Sequence, residues 1–336
     1  MSLGDLHVVV TGGGGFIGNE VTRQLLARGA RVSVIDNFVN GKMENLADLD
    51  PARLNVARVD VRDLERVAPI FRDAQLVLHL ACLGVRHSLH APLENHDVNA
   101  TATLRLLELA RASGVRRFQY VSTSEVYGTA RSAPMTEDHP TFPLTVYGAS
   151  KLAGERYTDA YWQTWKYPTS IVRPFNAFGP RSHHEGDSGE VIPKFMLRGM
   201  AGLPLVIHGD GTQTRDFTFV SDTAGGIIEA ALTDKTIGQT VNLGSGREVT
   251  ILELSGLIGT VLGGRNVQVQ HGPDRPGDVR RLIADSAKAK GLFGFQPQVS
   301  LRDGLALLRD WYQASGRSVE ELLRDERSVN WTAPSA

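Results

Sequence analysis

Four consecutive glycines, Gly12–Gly15, sit between a β-branched run, His7–Thr11, and a stretch from Phe16 to Arg28 whose apolar residues recur at helical spacing. Gly12, Gly15 and Gly18 give the spacing G-x-x-G-x-x-G. Strand, glycine loop and helix in that order form a ligand cradle. The loop backbone can approach a pyrophosphate closely, and the first helical turn offers it unpaired N–H groups. The glycine spacing alone is weak evidence; its place between a strand and a helix is what gives it force. Asp36 closes the next apolar run, Arg31–Asp36, where a carboxylate that accepts from a ribose hydroxyl belongs. A carboxylate there repels a 2′-phosphate, so the motif reads as a site for NAD rather than NADP.

The same alternation continues. Leu54–Val59, Leu76–Ala81, Phe118–Ser122 and Thr169–Arg173 read as strands, and Val98–Ala112 and Tyr147–Trp165 as helices. The strands are continuous apolar runs, as in a parallel sheet covered on both faces. The expectation is an α/β chain: a Rossmann-type doubly wound parallel sheet over residues 1–176. After Pro174, glycine and proline become dense and the apolar pieces short (Leu205–Ile207, Phe217–Val220). Residues 177–330 are expected to form a smaller α/β domain for substrate. A strand near 240–244 should return to the first sheet, and Pro334–Ala336 should fray.

Lys plus Arg number 36 against 37 for Asp plus Glu. That balance gives no electrostatic reason to expect nucleic acid or an anionic membrane as partner. Met1–Val10 is too short and polar for a signal peptide, and no apolar stretch is long enough to span a membrane. With a single cysteine, Cys82, no intrachain disulfide is available, and a cytoplasmic location is expected. Cys82 ends the apolar run Leu76–Cys82 and is expected to be a small core residue.

Tyr147 and Lys151 stand four apart, on one face of the expected helix. A phenol ionises near pH ~10 and is a poor base unless cations favour its phenolate. An ammonium and an oxidised nicotinamide would do so, letting Tyr147 take a hydroxyl proton. Ser122-Thr123-Ser124-Glu125 follows the fifth strand, at a strand end where such sheets bind ligands. Thr123 could bind the hydroxyl being oxidised, and Glu125 is a candidate general base. Asp60 could reach an adenine amino group, while Asp63 suits a helix N-cap better. His79 reads as a packed strand histidine.

These residues, with Thr11–Gly18, Asp36-Asn37, His79-Leu80-Ala81, Asn99, Arg173–Asn176, Arg215-Asp216-Phe217, Asn242-Leu243-Gly244 and Arg275–Asp278, resemble the extended short-chain dehydrogenase/reductase family, in its nucleotide-sugar epimerase, dehydratase and decarboxylase group. The resemblance covers nearly the whole chain. It implies a catalytic set of Thr123, Ser124, Glu125, Tyr147 and Lys151. It implies that NAD is held by Gly12, Gly15, Phe16, Ile17, Gly18, Asp36, Asn37, Asp60, Val61, Leu80, Ala81, Asn99, Ser122 and Pro174, together with Tyr147 and Lys151. For the substrate it implies Asn176 on a phosphate or sugar oxygen, and Val191 and Lys194 in the element over the nucleotide base. Arg215 and Arg275 would clamp the diphosphate, with Asp278 on the ribose and Asn242 nearby. Asp216 could orient Arg215 through a salt bridge. A homodimer through the helices near Asn99–Ala112 and Lys151–Trp165 is also implied.

In that family the sugar is oxidised at C4, and three outcomes compete: 4-epimerisation, loss of water to a 4-keto-6-deoxy sugar, and decarboxylation of a uronate. Thr-Ser-Glu looks like GDP-sugar 4,6-dehydratases and favours an NDP-hexose 4,6-dehydratase, since elimination needs a base at C5. The dTDP-glucose dehydratases usually carry Asp where Ser124 stands. UDP-glucuronate decarboxylases also carry Thr-Ser-Glu, and many 4-epimerases keep the Glu. Val85-Arg86-His87-Ser88 looks more like epimerases and dehydratases. A non-catalytic NAD-binding sensor is the alternative outside enzymology; such proteins typically lose the Tyr or the Lys. His183 and His184 are adjacent and lack further spaced ligands, so no metal is expected.

Overall fold

A computed structural model describes residues 3, 4 and 6–331. The expected fraying of Pro334–Ala336 lies outside the described residues. The first half runs β1 (His7–Thr11), α1 (Phe16–Ala27), β2 (Arg31–Asp36), β3 (Leu54–Arg58), α2 (Leu64–Phe71) and β4 (Leu76–His79). Two short helices, α3 (Val85–His90) and α4 (Pro92–His96), lead to α5 (Ala102–Ala112), β5 (Arg117–Val121), α6 (Val146–Trp165) and β6 (Thr169–Pro174). All the strands of the main sheet are parallel, in the order β10-β6-β5-β4-β1-β2-β3, where β10 is Thr240–Leu243. The return strand is therefore present, paired with β6 from Thr240↔Ile171 to Leu243↔Pro174.

Pleating explains the two layers. Successive residues of β1 point to opposite faces. Val8 and Val10 pack with α1 and with Ala224, Ile227 and Ile228, while Val9 packs with Ile35, Phe71, Leu106 and Phe118. With both faces covered, each strand can be apolar throughout. The sheet reverses its winding between β1 and β4, and a crevice opens there outside the strand C-termini.

Two expected boundaries shift for local reasons. β4 stops at His79 rather than Ala81: the Leu80 amide still reaches the Thr11 carbonyl at 3.1 Å, but the Ala81 amide turns to the Thr11 hydroxyl at 3.2 Å. The helix expected from Val98 opens as a wider π turn over Asp97–Thr101 before α5. Asn99 lies in that turn with its amide on the backbone of Leu83.

The second half adds β7 (Asn176–Phe178), α7 (Val191–Met200), β8 (Leu205–His208), β9 (Thr214–Phe219) and α8 (Val220–Leu232). After β10 come β11 (Glu248–Thr250), α9 (Ile251–Val261), β12 (Val269–Gly272), α10 (Ala287–Phe293), α11 (Leu301–Ala314) and α12 (Val319–Leu323). β11, β9 and β7 form one small sheet, and β12 and β8 another. Phe178, Phe195, Phe217, Phe219, Leu254 and Leu305 make the core beneath them. α9 begins with a reciprocal Thr250–Glu253 capping box, the sort of terminus that contributes about 1 kcal/mol. No helix among the described residues is long and apolar enough to cross a membrane.

Candidate active site

The crevice at the winding reversal is walled by the glycine loop. Gly12 has φ +73°, and a Cβ there would stand 2.8 Å from the Ala81 nitrogen. A Cβ at Gly18 would run into the Gly12 carbonyl. The loop therefore packs only as glycine, and its backbone faces the crevice. Phe16 and Ile17 open α1 beside it. Asp36 accepts from the Gly14 amide at 2.9 Å and the Phe38 amide at 2.7 Å. Burial raises its pKa, and those two amides oppose the rise. Asn37 donates to Asp60 at 2.9 Å, and Arg62 beside Asp60 holds that carboxyl down at about 2. Asp63 is the N-cap of α2, accepting from the Arg66 amide, as its position suggested. Val61, Leu80, Ala81, Ser122 and Pro174 complete this wall. The Ser122 hydroxyl is buried without a hydrogen-bond partner. A glycine cradle, a carboxylate at the end of β2 and an unsatisfied hydroxyl together fit a dinucleotide.

At the crevice floor stand Thr123, Ser124, Glu125, Tyr147 and Lys151. Lys151 is 2% exposed, donates to the Val121 carbonyl at 2.7 Å and lies 4.3 Å from the centre of the Tyr120 ring. Desolvation lowers its pKa. Burial pushes the Tyr147 phenol well above its ordinary value, and a hydrogen bond with Thr123 opposes this. Burial likewise raises Glu125, against the pull of Arg215 and Arg275. His79 is a packing residue: fully desolvated, down at about 3, and bonded to Thr11 at 2.7 Å and Thr103 at 3.0 Å.

Cys82 corrects an expectation. It is exposed, not core, because the strand ends at His79 and the chain turns outward into the crevice beside Tyr147.

A second cleft meets the first end to end. Val85, Arg86, Glu125, Asn176, Ala177 and Glu190 line both. Asn176 has a buried Oδ1 without a hydrogen-bond partner, poised for a ligand donor. Val191 and Lys194 enter from the first turn of α7, and Arg215 and Arg275 from β9 and the loop after β12. Asp278 bridges the two arginines, 2.7 Å from Arg215 Nη2 and in contact with Arg275. Three expected contacts lie elsewhere. Asn99 spends its amide on Leu83 and Asn95. Asn242 is fully buried and bonded to Tyr127 and Met135. Asp216 does not pair with Arg215; it accepts from Ser245, Gly246 and Ala284, fastening two loops. Each is a backbone-fastening residue that a motif cannot distinguish from a ligand contact.

Arg86 and Glu190 escaped the sequence reading as ligand contacts, although Val85–Ser88 had already drawn attention. The Arg86 Nε is buried without a partner, and desolvation lowers the guanidinium to about 10. Glu190, the N-cap of α7, makes no capping bond and is raised to about 7 by burial. His184 sits against Glu185 at 3.1 Å, while His183 faces the first cleft. Among the described residues no group of three or more His, Cys, Asp and Glu is placed to hold a metal ion.

The family model described as GDP-mannose 4,6 dehydratase matches residues 9–308. A putative UDP-glucose 4-epimerase of Methanocaldococcus jannaschii is 32% identical, over 93% of this chain and 100% of that protein. UDP-glucuronic acid decarboxylase 4 of Arabidopsis thaliana is 35% identical, over 90% of this chain and 68% of that protein. The dTDP-glucose 4,6-dehydratase of Streptomyces venezuelae, solved with NAD bound, superposes with a TM-score of 0.86 at 33% identity, covering 92% of this chain and 97% of that one. With this parallel sheet, this glycine cradle and matches of that length, the chain belongs to the extended short-chain dehydrogenase/reductase family of nucleotide-sugar epimerases, dehydratases and decarboxylases.

Proposed function

We propose that this protein is an NAD-dependent enzyme that oxidises the sugar of a nucleoside-diphosphate sugar at C4, and that it is an NDP-hexose 4,6-dehydratase. The observation that carries the reading is the meeting of the two clefts at Glu125, within reach of Tyr147 and Thr123. In this reading residues 1–176 hold the dinucleotide, with Asp36 on its ribose, and residues 177–330 mainly hold the nucleotide sugar. NAD, when bound, supplies the oxidant at C4 and the reductant that closes the cycle.

The chain's own groups do the rest. Thr123 positions the C4 hydroxyl and Tyr147 takes its proton; Lys151, fixed on the Val121 carbonyl, supplies a cation one helical turn along from Tyr147. Oxidation leaves a 4-keto sugar with an acidic C5 proton. Glu125 removes that proton and delivers one to the departing C6 hydroxyl, so that water leaves. A carboxyl raised by burial suits both halves of that exchange. Arg215 and Arg275 hold the diphosphate, and the unpaired Asn176 Oδ1 accepts from a sugar hydroxyl.

One observation favours a second reading. Arg86 is a desolvated cation at the junction of the clefts, and its Nε is unsatisfied. Such a group is costly unless an anion meets it. A C6 carboxylate would do so, which makes the sugar a uronate and the outcome 4-epimerisation or loss of carbon dioxide. A homodimer through α5 and α6 is also part of the proposal, since Leu104 and Trp165 present apolar surface there; sedimentation of a monomer would refute it.

The test is mass spectrometry of products, with NAD, on UDP-, dTDP-, GDP- and CDP-hexoses and UDP-glucuronate. Loss of one water supports the dehydratase. Loss of carbon dioxide, or a new isomer of unchanged mass, installs the second reading or a simple epimerase. Retained NAD without turnover on any sugar would leave a sensor instead.

A further inference from the structure

Beyond α12 the chain turns back across the mouth of the second cleft, and its contacts are specific. The Asp325 carbonyl accepts from the Gly186 amide at 2.8 Å. Glu326 pairs with Lys194 at 3.5 Å and Arg198 at 3.0 Å. The Ser328 carbonyl lies 2.9 Å from His208 Nε2, and the Asn330 amide donates to the Gly189 carbonyl at 3.0 Å. The Trp331 ring stands edge-to-face on His208, 4.5 Å between centroids. This strap lies wholly outside the family match, which ends at residue 308.

We propose that the strap Asp325–Trp331 forms the outer wall of the nucleotide-base chamber, with the Trp331 ring as the face on which the substrate's nucleobase stacks. The inference rests on reading this cleft as the nucleotide-sugar site. Three observations carry it. Glu326, Ser328, Asn330 and Trp331 line the cleft together with β8 and α7. Gln213 holds the His208 carbonyl through its amide nitrogen at 2.8 Å, which leaves its buried Oε1 with no partner and free for a base N–H. Glu326 ties the strap to Lys194 and Arg198 of α7, so the strap is fastened to the element that lines the same cleft. An aromatic face binds any base, because every base has a π face. Trp331 therefore supplies affinity, and Gln213 with the strand backbone supplies the choice of base.

The experiment is calorimetric titration of the full-length, NAD-loaded protein with UDP, dTDP, CDP and GDP, for wild type, Trp331→Ala and Trp331→Phe. The preferred diphosphate should bind roughly tenfold to a hundredfold more weakly to Trp331→Ala, with most of the loss restored in Trp331→Phe. NAD affinity should not change. Amide exchange in residues 325–331 should slow when the diphosphate binds. Equal affinity in Trp331→Ala would overturn the inference while leaving the nucleotide-sugar reading intact. Tighter binding with faster exchange would overturn it too, since the strap would then be a plug that substrate displaces. A wild type that binds none of the four diphosphates would sink both.

Discussion

The two clefts are built in opposite ways. The cofactor crevice is assembled from strand ends, and its ligand groups sit within a few residues of regular structure: Gly12–Gly18 after β1, Asp36 closing β2, Ser122–Glu125 after β5. The second cleft leans as well on stretches outside any strand or helix, Arg275–Asp278 and Glu326–Trp331. Their charges differ as well. Asp36 is held by two backbone amides that the fold supplies whatever else is bound. Arg215 and Arg275 are held by Asp278, and Lys194 and Arg198 by Glu326, carboxylates that stand beside cations a diphosphate would also claim. The first cleft is preorganised by backbone; the second is held by exchangeable ion pairs. Substitutions in the first should damage chemistry, and substitutions in the second should damage affinity.

The largest expected effect follows from Tyr147→Phe. Every outcome proposed for the sugar begins with removal of the C4 hydroxyl proton, so turnover should fall by about 10⁴, the upper range for losing a general base. Affinities for NAD and for nucleoside diphosphate should stay within about twofold, because the ring and its packing remain. Stopped-flow and calorimetry separate the two. A large loss of diphosphate affinity would break the division between the clefts.

Glu125→Gln comes next, at about 10² in turnover. The proposed dehydratase carries a sharper signature: solvent deuterium should enter C5 in the wild type and not in the variant. An unaffected rate would remove Glu125 from the chemistry and leave a simple epimerase.

The contrast also explains what the sequence could reveal. Local chemistry was legible. The glycine spacing, Asp36 at a strand end and the four-residue step from Tyr147 to Lys151 are fixed by one strand or one helix each. The doubly wound sheet was legible because its strands are continuous apolar runs, and even the return of Thr240–Leu243 showed in its composition. What stayed hidden depends on partners distant in sequence. Asn242 and Asp216 resemble ligand residues until one sees which carbonyls and amides they fasten. Cys82 reads as core because the apolar run does not announce where the ladder ends. Arg86 and Glu190 acquire meaning only when α3 and the start of α7 meet at the junction of the clefts. Trp331 lies in a polar tail with no periodicity to place it.

Arg215→Lys tests the second cleft directly. Lysine keeps the charge but loses the fork that can meet two phosphate oxygens and hold Asp278 and the Val279 carbonyl together. Diphosphate affinity should fall about tenfold while NAD affinity is unchanged. Loss of both would mean that the clefts are coupled through Glu125 and the loop beside it, and the comparison would need redrawing.

The last effect concerns pH and touches neither turnover nor affinity; it distinguishes acids held by backbone from acids left to burial. Glu190 is raised to about 7 by desolvation, with Arg86 the one charge that offsets it, and its side chain caps nothing. A carboxyl in the unfolded chain titrates near ~4.3. Between those values the folded protein holds a proton that the unfolded chain has released. Folding stability from this group therefore falls as pH rises through that window, and the penalty is complete above about 7. Glu190→Gln removes the titration. The stability gap between variant and wild type should move in the variant's favour from about pH 4.5 to 7 and then level off. Denaturant midpoints across that range would show it. A gap constant with pH would mean that Arg86 already neutralises Glu190 in the free enzyme. The guanidinium would then be spoken for, and the case for an anionic substituent on the substrate sugar would fall with it.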